Sequence, residues 1–77
     1  MINNEKLEII EKLIEGEEYL REISEKTKIP VATTFKQIKE MKEGGILTSS
    51  MKKNRKYFQI NYNSVFAREA IKIIFIQ

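Results

Sequence analysis

The only proline in the chain, Pro30, divides a stretch of helical periodicity into two short helices. Proline turns the residue before it, here Ile29, away from helical geometry, and its own fixed φ suits the start of a new helix. Before the break, Leu20 and Ile23 share one face with Ser24 and Thr27 beside them, which predicts a helix over about 20–27. After it, Val31, Thr34, Ile38 and Met41 recur at intervals of three and four residues. That spacing predicts a helix over about 31–43 with these four side chains inward, ended by Gly44-Gly45.

Patterns on either side complete the architecture. Leu7, Ile10, Leu13 and Ile14 predict a first helix over about 4–15, capped by Asn3 or Asn4 and stopped at Gly16. After the paired glycines the period changes. Residues 46–51 and 57–60 read as two strands, with Phe58 and Ile60 alternating onto one face, and 52–56 (KKNRK) reads as a polar turn between them. An Asn63 or Ser64 cap then opens a last helix carrying Phe66, Ala67, Ala70, Ile71, Ile73 and Ile74. The expected fold class is therefore α+β and mostly helical: three helices, a two-stranded β-hairpin over about 46–61 and a C-terminal helix over about 63–76, in one domain spanning 1–77.

Composition removes several kinds of chemistry. The chain has no cysteine, histidine or aspartate, and all eleven acidic residues are glutamates. There is no thiol or imidazole to serve as nucleophile or base, no disulfide framework, and no glycine-rich phosphate loop. An enzyme is accordingly not expected, and neither are catalytic residues, a metal site, a cofactor or a small-molecule substrate. The helical row Glu5, Glu8, Glu11 and Glu15 reads as a charged surface. The longest apolar run, 73–76, is far too short to cross a bilayer, and the N-terminal residues do not form a signal peptide, so a cytoplasmic protein without a membrane partner is expected. The net charge of +3 is unevenly spread. Residues 1–29 hold five Lys/Arg against eight Glu (−3), while residues 30–77 hold nine against three (+6), which points to an anionic partner for the second half.

The segment from Leu20 to Leu47, LREISEKTKIPVATTFKQIKEMKEGGIL, resembles the helix-turn-helix of ArsR/MarR-type regulators, here over about 20–43. NRKYFQIN, Asn54 to Asn61, resembles the second wing strand of the same group. NSVFARE, Asn63 to Glu69, is similar to small archaeal-type winged-helix domains, some of which are fused to a minimal nucleotidyltransferase. The resemblance implies a winged helix-turn-helix and transcription regulation through double-stranded DNA. Ser24 stands where the family usually has alanine, a small residue that lets the two helices cross closely. Two positions depart from the pattern. Lys28 replaces the turn glycine, at a cost of about 1 kcal/mol if φ is positive, and Ala32 replaces a frequent serine.

By this resemblance Thr33, Phe35, Lys36 and Gln37 of the third helix read bases in the major groove, with Gln37 able to pair with adenine and Lys36 with guanine or phosphate. Thr33 can offer its hydroxyl to a phosphate and its methyl to thymine, and Phe35 can contact a thymine methyl or be a core residue that flanks the helix. Lys52, Lys53, Asn54, Arg55 and Lys56 form a wing tip for the backbone or minor groove. The reading requires the wing tip and the outer side of the third helix to point the same way. Apolar residues exceed what the last helix needs for one contact, so a homodimer through Phe66, Ala70, Ile73 and Ile74 is expected, against a closed monomer or a missing downstream domain. Two other functional classes stay open: a protein-interaction winged helix of a transcription or replication assembly, and, less favoured, RNA binding.

Overall fold

A computed structural model describes residues 2–76. The chain runs α1 (Asn4–Ile14), β1 (Glu18–Tyr19), α2 (Leu20–Thr27), α3 (Val31–Glu43), β2 (Leu47–Lys52), β3 (Arg55–Ile60) and α4 (Val65–Ile76). The strands form one antiparallel sheet in the order β1-β3-β2. The expected hairpin is thus part of a three-stranded sheet. Glu18 and Tyr19, opposite Phe58 and Tyr57, cover the edge of β3 that a two-stranded wing would leave open.

Each junction has a local cause. Asn3 caps α1 by accepting the Lys6 N–H at 2.8 Å. The turn between α2 and α3 is held by three hydroxyls. Ser24 Oγ donates to the Ile29 carbonyl (2.6 Å), Thr27 Oγ1 to Ile23 (2.8 Å), and Thr34 Oγ1 to Ile29 and Pro30 (3.2 and 3.0 Å). Lys28 sits at φ 61°, ψ 25°, so the turn does need the left-handed conformation and a lysine supplies it. α3 ends in a Schellman motif: the Ile46 N–H reaches the Met41 carbonyl (2.9 Å) and the Gly45 N–H that of Lys42 (3.1 Å), with Gly45 at φ 78°. Asn61 ties the end of β3 to this turn, its Nδ2 donating to the Gly45 carbonyl at 2.9 Å. Ser64 caps α4 by accepting the Ala67 N–H.

The core gathers Ile9, Ile10 and Leu13 of α1, Ile23, Ile29, Ile38 and Met41 of the helix-turn-helix, Leu47, Phe58 and Ile60 of the sheet, and Ala67 and Ala70 of α4. Ile60 lies opposite Leu47, so one face of the β2–β3 pair closes the core. Val31, expected inside, is 45% exposed instead. It is the first residue of α3 and lies at the surface, on the flank toward the wing. Lys6 is buried at the α1–α3 contact, where its Nζ meets Glu40 Oε1 at 2.7 Å.

Candidate nucleic-acid interface

The inner side of α3 is Thr34, Gln37, Ile38 and Met41, all buried. Gln37 therefore does not belong to the outer face assigned to it above. It lies three residues after Thr34 and four before Met41, so the helix turns it onto the buried side. There its Nε2 donates to Glu5 Oε1 (2.9 Å) and its Oε1 accepts from Asn3 Nδ2 (3.3 Å), joining α3 to the start of α1. A groove cannot be read by a side chain 6% exposed and engaged behind its own helix. The correction was legible in the spacing. What obscured it was the residue type, since glutamine reads as a surface side chain.

The solvent side of α3 carries Val31, Ala32, Phe35, Lys36 and Lys39, with Thr33 half-buried at its margin. Phe35 is 54% exposed, so its core reading fails. Its flank of the helix faces the wing. Val31 and Phe35 share a groove of about 450 Å³ with Tyr19, Leu20 and Arg21 and with Arg55, Lys56 and Phe58 of the wing. The outer flank of α3 and the base of the wing therefore border one concave surface. The sequence reading required the wing tip and Gln37 to share that face, and Gln37 does not.

The wing differs from expectation in its turn. Only Lys53 and Asn54 make the turn, both at positive φ (49° and 66°), the conformation a two-residue hairpin needs to match strand twist. Lys52, Arg55 and Lys56 lie on the strands. The cations are also not equivalent. Lys52 is paired with Glu17, in the loop before β1. The Arg55 guanidinium lies 4.4 Å over the Tyr19 ring, which meets Tyr57 edge-on at 5.7 Å. The Tyr19 phenol is held above its ordinary pKa, chiefly by its hydrogen bond to Glu22 and then by burial, with Arg55 opposing. Lys26, hydrogen-bonded to Glu18 at 3.2 Å, is raised for that reason and fastens α2 to β1. Sequence reasoning missed this role of Glu17, Glu18 and Tyr19. A two-residue strand has no periodicity to detect.

On α4 the expected contact residues divide. Ala70 is 1% exposed and belongs to the core, so it is not available to a partner. Ile74 packs partly against the core and borders a shallow crevice with Asn4, Leu7, Glu8 and Glu11 of α1. Phe66 (69% exposed) and Ile73 (45%) remain on the surface, joined by Phe75 and Ile76, which the expected contact set lacked. Among the described residues no cluster of three or more acidic, histidine or cysteine side chains could hold a metal ion, and no helix is long and apolar enough to cross a membrane.

Residues 3–49 match the family model described as bacterial regulatory protein, arsR family. The tail that resembled archaeal-type domains, 63–69, lies outside that match. No curated protein matches the chain significantly. Several solved structures do. One is the homodimeric winged helix-turn-helix DNA-binding domain of a possible ArsR-family transcriptional regulator from Mycobacterium bovis (TM-score 0.81, 24% identity, covering 96% of this chain and 68% of that one). A second is the transcriptional repressor BigR of Xylella fastidiosa (TM-score 0.85, 19% identity, 96% and 72%). A third is a mutant of ZitR from Lactococcus lactis in complex with DNA (TM-score 0.77, 21% identity, 95% and 52%). At these identities the likeness establishes the winged helix-turn-helix fold.

Proposed function

The chain belongs to the arsR family of bacterial regulatory proteins, and from that membership we propose that it regulates transcription in the cytoplasm by binding double-stranded DNA as a homodimer. The observation that carries this reading is the groove in which the exposed flank of α3 meets the base of the wing. A major groove admits one helix, and here the flank of that helix is bordered by Arg21, Arg55 and Lys56. Lys36 and Lys39 extend the positive charge along the same helix. In this role Thr33, Phe35 and Lys36 face the bases, while Lys53, Asn54 and Lys56 follow the backbone or the adjacent minor groove. Lys52 stands behind them, engaged by Glu17, whereas Arg55, stacked over Tyr19, keeps its charge at the edge of the groove.

The dimer supplies the second recognition helix. Two half-sites one turn of duplex apart require two α3 helices roughly 34–36 Å apart. Phe66 and Ile73 offer apolar surface for the dimer contact, beside the α1–α4 crevice around Ile74, whose rim carries Glu8 and Glu11. A catalytic role has no support in a chain without cysteine, histidine or aspartate.

The test is a mobility-shift assay on genomic fragments at two salt concentrations with non-specific competitor, comparing the natural chain with Lys53→Gln/Lys56→Gln. Each lost phosphate contact should lower the slope of log K against log salt by about 0.9. Binding with an unchanged slope would remove the wing from the interface. Absence of duplex binding at both salts would leave the protein-interaction reading.

A further inference from the structure

With Gln37 turned inward, the exposed start of α3 has an unusual chemistry for a base reader. The N-terminal part of a recognition helix is the part that meets base edges. Here it presents Val31 (45% exposed), Ala32, the margin of Thr33, Phe35 (54% exposed) and Lys36. No asparagine, glutamine or arginine lies on that surface. The bidentate pairing that reads adenine is therefore missing from α3, and guanine can be met there only by lysine. Lysine is the one charged donor there, and it serves guanine or phosphate equally well. What the surface does offer is a continuous apolar contact from Val31 to Phe35, inside a groove whose rim is cationic through Arg21, Arg55 and Lys56. In the major groove the thymine C5-methyl is the one apolar feature of an unmodified base edge.

We propose that this protein selects its DNA through thymine methyl groups, which pack against Val31 and Phe35 while the surrounding cations hold the phosphates. The proposal rests on the DNA-binding reading and specifies its substrate class: duplexes with thymines placed opposite the start of α3. A thymine methyl packed there would take both half-exposed side chains out of solvent. The rim charges make that surface a polyanion and not an apolar peptide.

The experiment removes the methyl and nothing else. A preferred duplex is selected from a random pool by the full chain, and each thymine is then replaced singly by deoxyuridine, which keeps every hydrogen-bonding group. Burying a methyl-sized group is worth about 0.8 kcal/mol, so binding should weaken about fourfold at each contacted thymine. Phe35→Ala or Val31→Ala should bring that penalty close to onefold. Both residues are half-exposed, so neither truncation opens the core, and the deoxyuridine duplexes need no protein variant at all. If no thymine responds while the selected duplex still binds, or if the penalty survives both substitutions, the methyl-reading proposal is overturned and DNA binding stands. If no duplex is selected or bound, the DNA-binding reading fails and this proposal falls with it.

Discussion

Replacing Gln37 by alanine separates the buried role seen here from a base-reading one. The side chain makes two hydrogen bonds, 2.9 Å to Glu5 and 3.3 Å to Asn3. Each contributes about 1 kcal/mol net, and both partners sit near solvent, so neither reaches the upper range of charge-assisted bonds. One buried methylene adds about 0.8 kcal/mol. The better helix propensity of alanine returns about 0.4 kcal/mol. The variant should therefore lose about 2 kcal/mol. A chain of this length has roughly 4–12 kcal/mol to lose, and a change of that size should lower Tm by roughly 8–16 °C. Urea and thermal unfolding followed by circular dichroism, at one fixed protein concentration because a dimer's stability depends on it, give the number. Gln37→Met, which keeps the volume and removes only the hydrogen bonds, should fall in between. Preference among DNA sites should not change for either variant. A loss below about 0.5 kcal/mol together with altered site preference would place Gln37 in the groove and refute the reasoning.

Three further outcomes test other parts of the structure. Lys28→Gly should stabilise the chain by about 1 kcal/mol in urea, since lysine at φ 61° bears the left-handed penalty that glycine does not; a lower midpoint would contradict it. Lys6, hydrogen-bonded at 2.7 Å, holds the Glu40 carboxyl below its ordinary pKa, so the contribution of the pair is present above the usual glutamate range and is lost as pH falls through it and through the depressed folded value. Glu40→Gln should accordingly flatten the acid limb of stability below about pH 4.3, and an identical acid limb would show that the pair contributes nothing. Ile73→Glu changes an exposed position of α4 and should shift light scattering from dimer to monomer with little change in the fold; an unaltered mass would take Ile73 out of the dimer contact.

Much of the fold was legible because it follows from local rules. Pro30, the hydroxyls beside it and the paired glycines locate both helices of the motif and their ends. The left-handed turn at Lys28 was legible too, through the expectation that this position needs glycine. Other features depended on what the rest of the chain places nearby. Two residues cannot announce a strand, yet Glu18-Tyr19 becomes one because β3 has a free edge beside it. That pairing brings Tyr19 under Arg55, while Glu17 just before it engages Lys52, so two of the four wing cations are engaged in a way no count of charges reveals.

The amino-acid order by itself determined the four helices and the hairpin, most of each helix's inner face and the positive second half, because these arise from spacing along one chain; the short β1 and the exposure of Val31 lay beyond it. Helical spacing turned Gln37 onto the inner face, but tertiary structure alone decided what it meets there and which flank of α3 stays open. α1 brings Glu5 and Asn3 to Gln37, while Phe35 is left exposed on the flank toward the wing. The physical reason is that a side chain's exposure depends on neighbours distant in the sequence, and periodicity carries no information about them.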